Sequence, residues 1–198
     1  MELFTPAIEK ENILPTTYHH ARPLESVKHG IVRSSSPLNY MEDRELANYF
    51  DKAYKWFEKT KGFYPLFLAV GRKDEDIRMT GIQNQWSRKL PEERNDVLFS
   101  FDELPNNGVF VDFDYWHIIL NSPSGELTKR EMQSLFRPSW IKNDWITKAN
   151  KDPHSVQLLV RELDLRSAKS VLARNIETKI KLERMGFNNV SVKRFGVT

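Results

Sequence analysis

The tightest constraint on the fold is a change of hydrophobic rhythm at Gly62. Between Glu42 and Lys61 the residues Leu46, Tyr49, Phe50, Ala53, Tyr54 and Phe57 fall at i, i+3, i+4, i+7, i+8 and i+11, on one face of a helix. Gly62 is a natural stop for it. Tyr64 to Val70 then runs apolar up to Gly71, the pattern of a short buried strand. A helix followed at once by a strand makes the chain a mixture of both elements.

The rest of the sequence repeats that mixture. Met1 to Pro15 reads as an extended lead-in. Thr17-Tyr18-His19-His20 reads as a short strand, with one or two helical turns from Leu24 and a glycine stop at Gly30. Arg33-Ser34-Ser35-Ser36-Pro37 is a polar loop, because serines compete for backbone hydrogen bonds and proline disfavours helix before it. Residues 79–94 read as loop with a helical turn near Trp86. Asp96 to Asp102 and Val109 to Asp112 read as two strands of a hairpin around the turn signal Leu104-Pro105-Asn106-Asn107-Gly108. Trp116 to Leu120 continues apolar, as a helical turn or a bent strand.

Thr128 to Phe136 carries a capping box, Thr128 with Glu131 three positions on, and predicts a helix. Trp140 to Lys148 predicts another. Val156 to Val160 is a strand, and Leu165 to Leu172 a turn and strand. Ile176 to Met185 is a basic amphipathic helix closed by Gly186, and Val190 to Arg194 a last strand. Interspersed helices and strands with short links predict the α+β class, a largely antiparallel sheet in a single domain over residues 1–198.

Composition narrows function. The chain has no cysteine, so disulfides, cysteine nucleophiles and cysteine metal sites are excluded. No apolar run approaches the roughly 20 residues of a membrane span, and the first ten residues lack a signal-peptide pattern, so a cytoplasmic setting and no membrane partner are expected. A net charge of +3 permits nucleic-acid contact without demanding it. Neither a Gly-rich phosphate loop, a dinucleotide fingerprint nor a Gly-x-Ser-x-Gly elbow occurs.

Four groups can carry chemistry. Tyr18, His19, His20 and His29 cluster near a strand end; an imidazole there either binds a ligand hydroxyl or packs. Asp112 and Asp114, two apart on one side of a strand and followed by Tyr115, suit a cation or a ribose, or are solvated. Gln157 opens an apolar strand, as a site residue or an edge position. Lys169, Arg174, Lys179, Lys181 and Arg184 form a basic stretch that Glu177 and Glu183 dilute.

Two resemblances follow from these residues. Tyr18-His19, with Leu24, Ser26, Val27 and His29-Gly30-Ile31, resembles the opening of ADP-ribosyltransferase domains, where a Tyr-His strand precedes a short helix with a Leu-x-Ser-Ile-x-x-x-Gly pattern. The run Val156 to Val160, then Ala168 to Leu172, Ile176 to Met185 and Val190 to Phe195, resembles the tail of DarT-type DNA ADP-ribosyltransferases. Gly108 to Asp112 is similar to their Phe-Val-Phe-Thr-Asp strand. The resemblance implies an ADP-ribosyltransferase-like fold, a split, largely antiparallel sheet with short flanking helices, and NAD in the cleft between the halves. It implies His19 on the nicotinamide ribose, Arg33 on the pyrophosphate, Tyr18, His20 and Tyr115 in the cofactor site, and Gln157 beside the anomeric carbon. The acceptor would be a nucleic-acid base or a protein side chain.

Gln157 stands where that family has its glutamate. An amide can hydrogen-bond a ribose but cannot act as a base, so the expected transfer is weak or absent. Ala53-Tyr54-Lys55-Trp56, Val97 to Leu104 and Val111 to Asn121 also resemble an uncharacterised bacterial family of about 200 residues, which implies no reaction. The alternatives are a non-enzymatic binder of nucleic acid or a partner protein, such as a phage or mobile-element inhibitor of host defence, and a nuclease using Asp112 and Asp114 with a divalent ion.

Overall fold

The computed structural model describes residues 16–27, 30–39, 44–72, 97–103, 108–112, 127–152 and 155–192. The expectations for residues 79–94, for the turn at 104–107, for Trp116 to Leu120, and for His29, Asp114 and Tyr115 lie outside them.

The fold is α+β, with a large, mostly antiparallel sheet. Among the described residues nine strands run in chain order: β1 (Thr16–Arg22), β2 (Ile31–Arg33), β3 (Leu66–Arg72), β4 (Val97–Phe101), β5 (Val109–Asp112), β6 (Val156–Val160), β7 (Glu162–Asp164), β8 (Ser170–Ala173) and β9 (Val190–Val192). Four α-helices among the described residues accompany them: α1 (Arg44–Lys61), α2 (Lys129–Phe136), α3 (Lys142–Lys151) and α4 (Ile176–Arg184). Seven strands form one sheet in the order β5-β6-β3-β1-β4-β8-β9, and β2 pairs with β7 in a separate ribbon. Among the described strands only β8 and β9 pair in parallel, across the crossover helix α4. No helix among the described residues is long and apolar enough to cross a membrane.

Local chemistry accounts for the helix ends. Glu131 accepts from the Thr128 backbone N–H at 2.7 Å while the Thr128 hydroxyl accepts from Glu131 N–H at 3.3 Å, the reciprocal cap expected from sequence. Asn175 caps α4 through a 2.8 Å bond from Thr178 N–H. Gly62 and Gly186, past the ends of α1 and α4, take φ of 80° and 86°, which glycine adopts without a Cβ penalty.

The predicted hairpin does not form. β4 pairs with β1 and β8, whereas β5 pairs with β6 at the sheet's edge. All five residues of β4 are buried, so covered interior positions claim it in preference to its neighbour in sequence. Glu162 opens β7 directly after Arg161, which follows the end of β6.

Alternation along the strands sorts the core onto two faces. On one, Tyr18, Leu68, Phe99 and Leu158 pack with Trp145 of α3, Leu182 of α4 and Phe187. On the other, Val111 and Leu159 pack beneath Ala53, Trp56 and Phe57 of α1 and Leu135 of α2. Trp56 stacks on Phe136 at 5.7 Å between centroids. The predicted α1 stripe therefore does meet the sheet through Ala53 and Phe57; the side chains of Leu46 and Tyr49 are outside those described.

Candidate functional site

The backbone register puts two expected site residues in one row. Reading across the large sheet, Val111 faces Gln157, Gln157 faces Ala69, Ala69 faces His19, and His19 faces Ser100. Directly paired residues point to the same side of a sheet. His19 and Gln157 thus share the α1–α2 face, two strands and about 9–10 Å apart at the backbone. What lies between them is Ala69, with Gly71 next on that face of β3. These small residues form a low strip, here called the trough, beside the two polar side chains, with the His19 ring leaning over its Gly71 end.

Beside this row the sheet begins to open. Pairing of β1 with β3 runs from Thr16–Arg72 to His19–Ala69 and stops. β1 continues alongside β4 to Arg22–Val97, and β3 continues alongside β6 to Leu66–Val160. His20 stands at the parting, and its Nδ1–H donates to the Phe67 carbonyl at 2.9 Å.

The polar atoms of the trough are poorly satisfied from within the protein. Gln157 Oε1 and Thr17 Oγ1 are shut from solvent with no hydrogen-bond partner among the described residues. Buried polar atoms of this kind cost stability and are uncommon. His19 is 6% exposed, and its Nδ1 lies 2.9 Å from Ser100 Oγ. Burial lowers the His19 pKa to about 4, so the ring is neutral at physiological pH. Its Nε2 end leans over β3, where a Cβ on Gly71 would lie 3.3 Å away.

Tyr18 and His20 point the other way. They alternate with His19 along β1 and pair with Phe101 and Phe99 of the α3–α4 face. Tyr18 is buried there, which raises its pKa. His20 also titrates at about 4: burial lowers it most, the Phe67 carbonyl bond raises it, and the charge of Arg22 lowers it. Arg33 is on the separate ribbon, with its guanidinium 2.8 Å from Glu162 in an exposed ion pair. The structure therefore brings His19 and Gln157 onto one face and joins neither Tyr18, His20 nor Arg33 to them by a contact.

Asp112 makes ion pairs at the sheet's edge, while its expected neighbour Asp114 lies outside the described residues. Its carboxylate takes Arg137 at 3.1 Å and also binds Lys148. Burial raises the Asp112 pKa, but hydrogen bonds and charge from Lys148 and Arg137 outweigh it, so the group titrates below its ordinary value. Arg137 also lies 4.5 Å over the Trp140 ring, and Trp145 stacks on Phe110 at 6.1 Å. This cluster fastens α2 and α3 to the sheet edge. Among the described residues no three His, Asp or Glu side chains gather as metal ligands.

Sequence reasoning missed Ser100 and Thr17. Ser100 is the one polar residue inside the apolar run Val97 to Phe101, and Thr17 precedes His19 by one strand period. Both signals are visible in the chain. No protein-family model, curated protein or solved structure gives a significant match to this sequence.

Proposed function

We propose that the trough between β6 and β1 binds NAD and that the protein is an ADP-ribosyltransferase-like domain whose glutamate has been replaced by an amide. The observation that carries this reading is the shared row of His19 and Gln157, separated only by Ala69, beside the parting of β1 from β3. The unpartnered Gln157 and Thr17 oxygens suit the hydroxyls of a ribose, and only the small Ala69 separates Gln157 from His19 in the row.

When bound, NAD supplies a glycosidic bond that breaks with its electron pair leaving on nicotinamide. His19, neutral and fixed against Ser100, orients a ribose hydroxyl. Gln157 accepts a second hydroxyl but neither takes a proton from an attacking acceptor nor offsets positive charge at the anomeric carbon. Transfer to a nucleic-acid base or protein side chain is then far slower than a carboxylate at this position would allow.

Calorimetric titration with NAD, paired with chromatography of released nicotinamide, tests the reading. Expected are binding by the natural chain, little release, and release at least ~100-fold faster in Gln157→Glu, the lower end of general-base catalysis. No binding heat and no nicotinamide from either protein overturns it.

The missing base at 157 also favours a second reading, a non-enzymatic binder of nucleic acid or protein on the same fold. Nucleic-acid affinity that falls steeply with salt, with no response to NAD, selects it.

A further inference from the structure

We infer that Ser100 is a positioning residue that holds the His19 imidazole in a single tautomer, protonated at Nε2, so that the trough meets its ligand with a hydrogen-bond donor at His19. The identity of the ligand rests on the NAD reading above; the tautomer is a property of the chain itself.

The inference comes from counting protons. Ser100 is 4% exposed, and His19 Nδ1, at 2.9 Å, is the one partner of its side-chain oxygen among the described residues. A serine hydroxyl has one proton to give, and a buried one needs an acceptor. If His19 carried its proton on Nδ1, the ring would donate to Oγ and the hydroxyl proton would be left without an acceptor. If the hydroxyl donates to Nδ1 instead, both groups are satisfied and the ring proton sits on Nε2. The second arrangement leaves neither the Ser100 hydroxyl nor His19 Nδ1 unpaired. Burial keeps the ring neutral, so one nitrogen or the other carries the single proton at pH 7.

His20 provides an internal contrast. Its Nδ1 faces a backbone carbonyl, that of Phe67, which can only accept. The proton of His20 is therefore on Nδ1, and its Nε2 is a bare lone pair, buried without a partner. Two consecutive histidines, on opposite faces of one strand, hold opposite tautomers. The glycine at 71 gives the His19 ring its room, since a Cβ there would press on Nε2 at 3.3 Å.

Long-range proton–nitrogen correlation NMR on the full chain with labelled histidine reads both tautomers directly. The expected spectrum at pH 7 shows His19 protonated at Nε2 and His20 at Nδ1. In Ser100→Ala the His19 pattern should move toward a mixture while that of His20 is retained, and Ser100→Thr should restore it. NAD affinity should fall about tenfold in Ser100→Ala and recover in Ser100→Thr. A natural chain with His19 protonated at Nδ1 overturns the inference, as does a folded Ser100→Ala with an unaltered His19 pattern. Should Ser100→Ala not fold, the spectrum of the natural chain decides, with His20 as reference. The expected tautomers without any NAD binding support the positioning role and overturn the cofactor reading instead.

Discussion

The two faces of the large sheet are made from the same strands and differ in how they are finished. The α3–α4 face is closed by the chain itself: Phe99 and Phe101 have no exposed surface, and Phe99 lies 5.5 Å from Phe187. The α1–α2 face is closed in the same manner at Val111 and Leu159, but beside them run Gln157, His19 and Thr17 over a floor of Ala69 and Gly71. One face spends its positions on packing. Its counterpart leaves two buried oxygens, on Gln157 and Thr17, without a partner among the described residues, where the packed face leaves His20 Nε2 in that state. Departures from local consistency of this kind concentrate where function resides.

Breaking the packed face should have the largest effect. Phe99→Ala should lower unfolding free energy by about 3–5 kcal/mol, seen as an earlier denaturant midpoint. A loss under about 1 kcal/mol would mean that this face is not the main core.

Acidification comes next, because it reaches both faces through β1. His19 and His20 titrate at about 4 in the folded chain, below the ordinary histidine value. Between about pH 6.5 and 4 the unfolded chain binds more protons than the folded one, so stability falls as pH falls. Each buried imidazole contributes a slope of up to about 1.4 kcal/mol per pH unit. Urea midpoints across this window should drop steeply, and His20→Gln should flatten the curve. A flat profile in the natural chain would count against burial of either ring.

At the sheet's edge, Asp112→Asn should cost about 1.5–3 kcal/mol at pH 7, since it removes the charge that Arg137 and Lys148 share. Asp112 has a lowered pKa, so its contribution is present above the ordinary carboxylate range and lost as pH falls through the folded value. The natural chain and the variant should converge in stability at acid pH, and equal midpoints at neutral pH would remove the clamp.

The smallest effect has the opposite sign. Gln157→Leu takes away a buried oxygen without a partner among the described residues, so the protein should gain about 1 kcal/mol in thermal or chemical unfolding while losing the NAD binding proposed above. A variant that is destabilised would show that the amide serves the fold.

How much of this was written in the chain varies with the range of the interactions. The helix over Arg44–Lys61, the capped helix after Thr128 and the strand Val156–Val160 were legible because periodicity and caps act within a few residues. The partner of β4 was not, since a turn signal says that the chain reverses and says nothing about which strand receives it. The β2–β7 ribbon escaped for the same reason: Arg33 and Glu162 meet across 129 residues. At the candidate site, strand alternation alone separates Tyr18 and His20 from His19, a reading open to anyone who takes β1 as a strand. That His19 and Gln157 face one trough required the order β6-β3-β1, which only the assembled sheet supplies.

That order bears on how the protein is made. β1 lies at the centre of the large sheet, and its His19 finds Ser100 only 81 residues later. On the ribosome this strand emerges before either of its neighbours exists, with Tyr18 uncovered. Topologies dominated by such distant pairings assemble slowly and expose sticky intermediates. At least one edge of β1 should therefore stay open on newly synthesised chains until β4 has been translated.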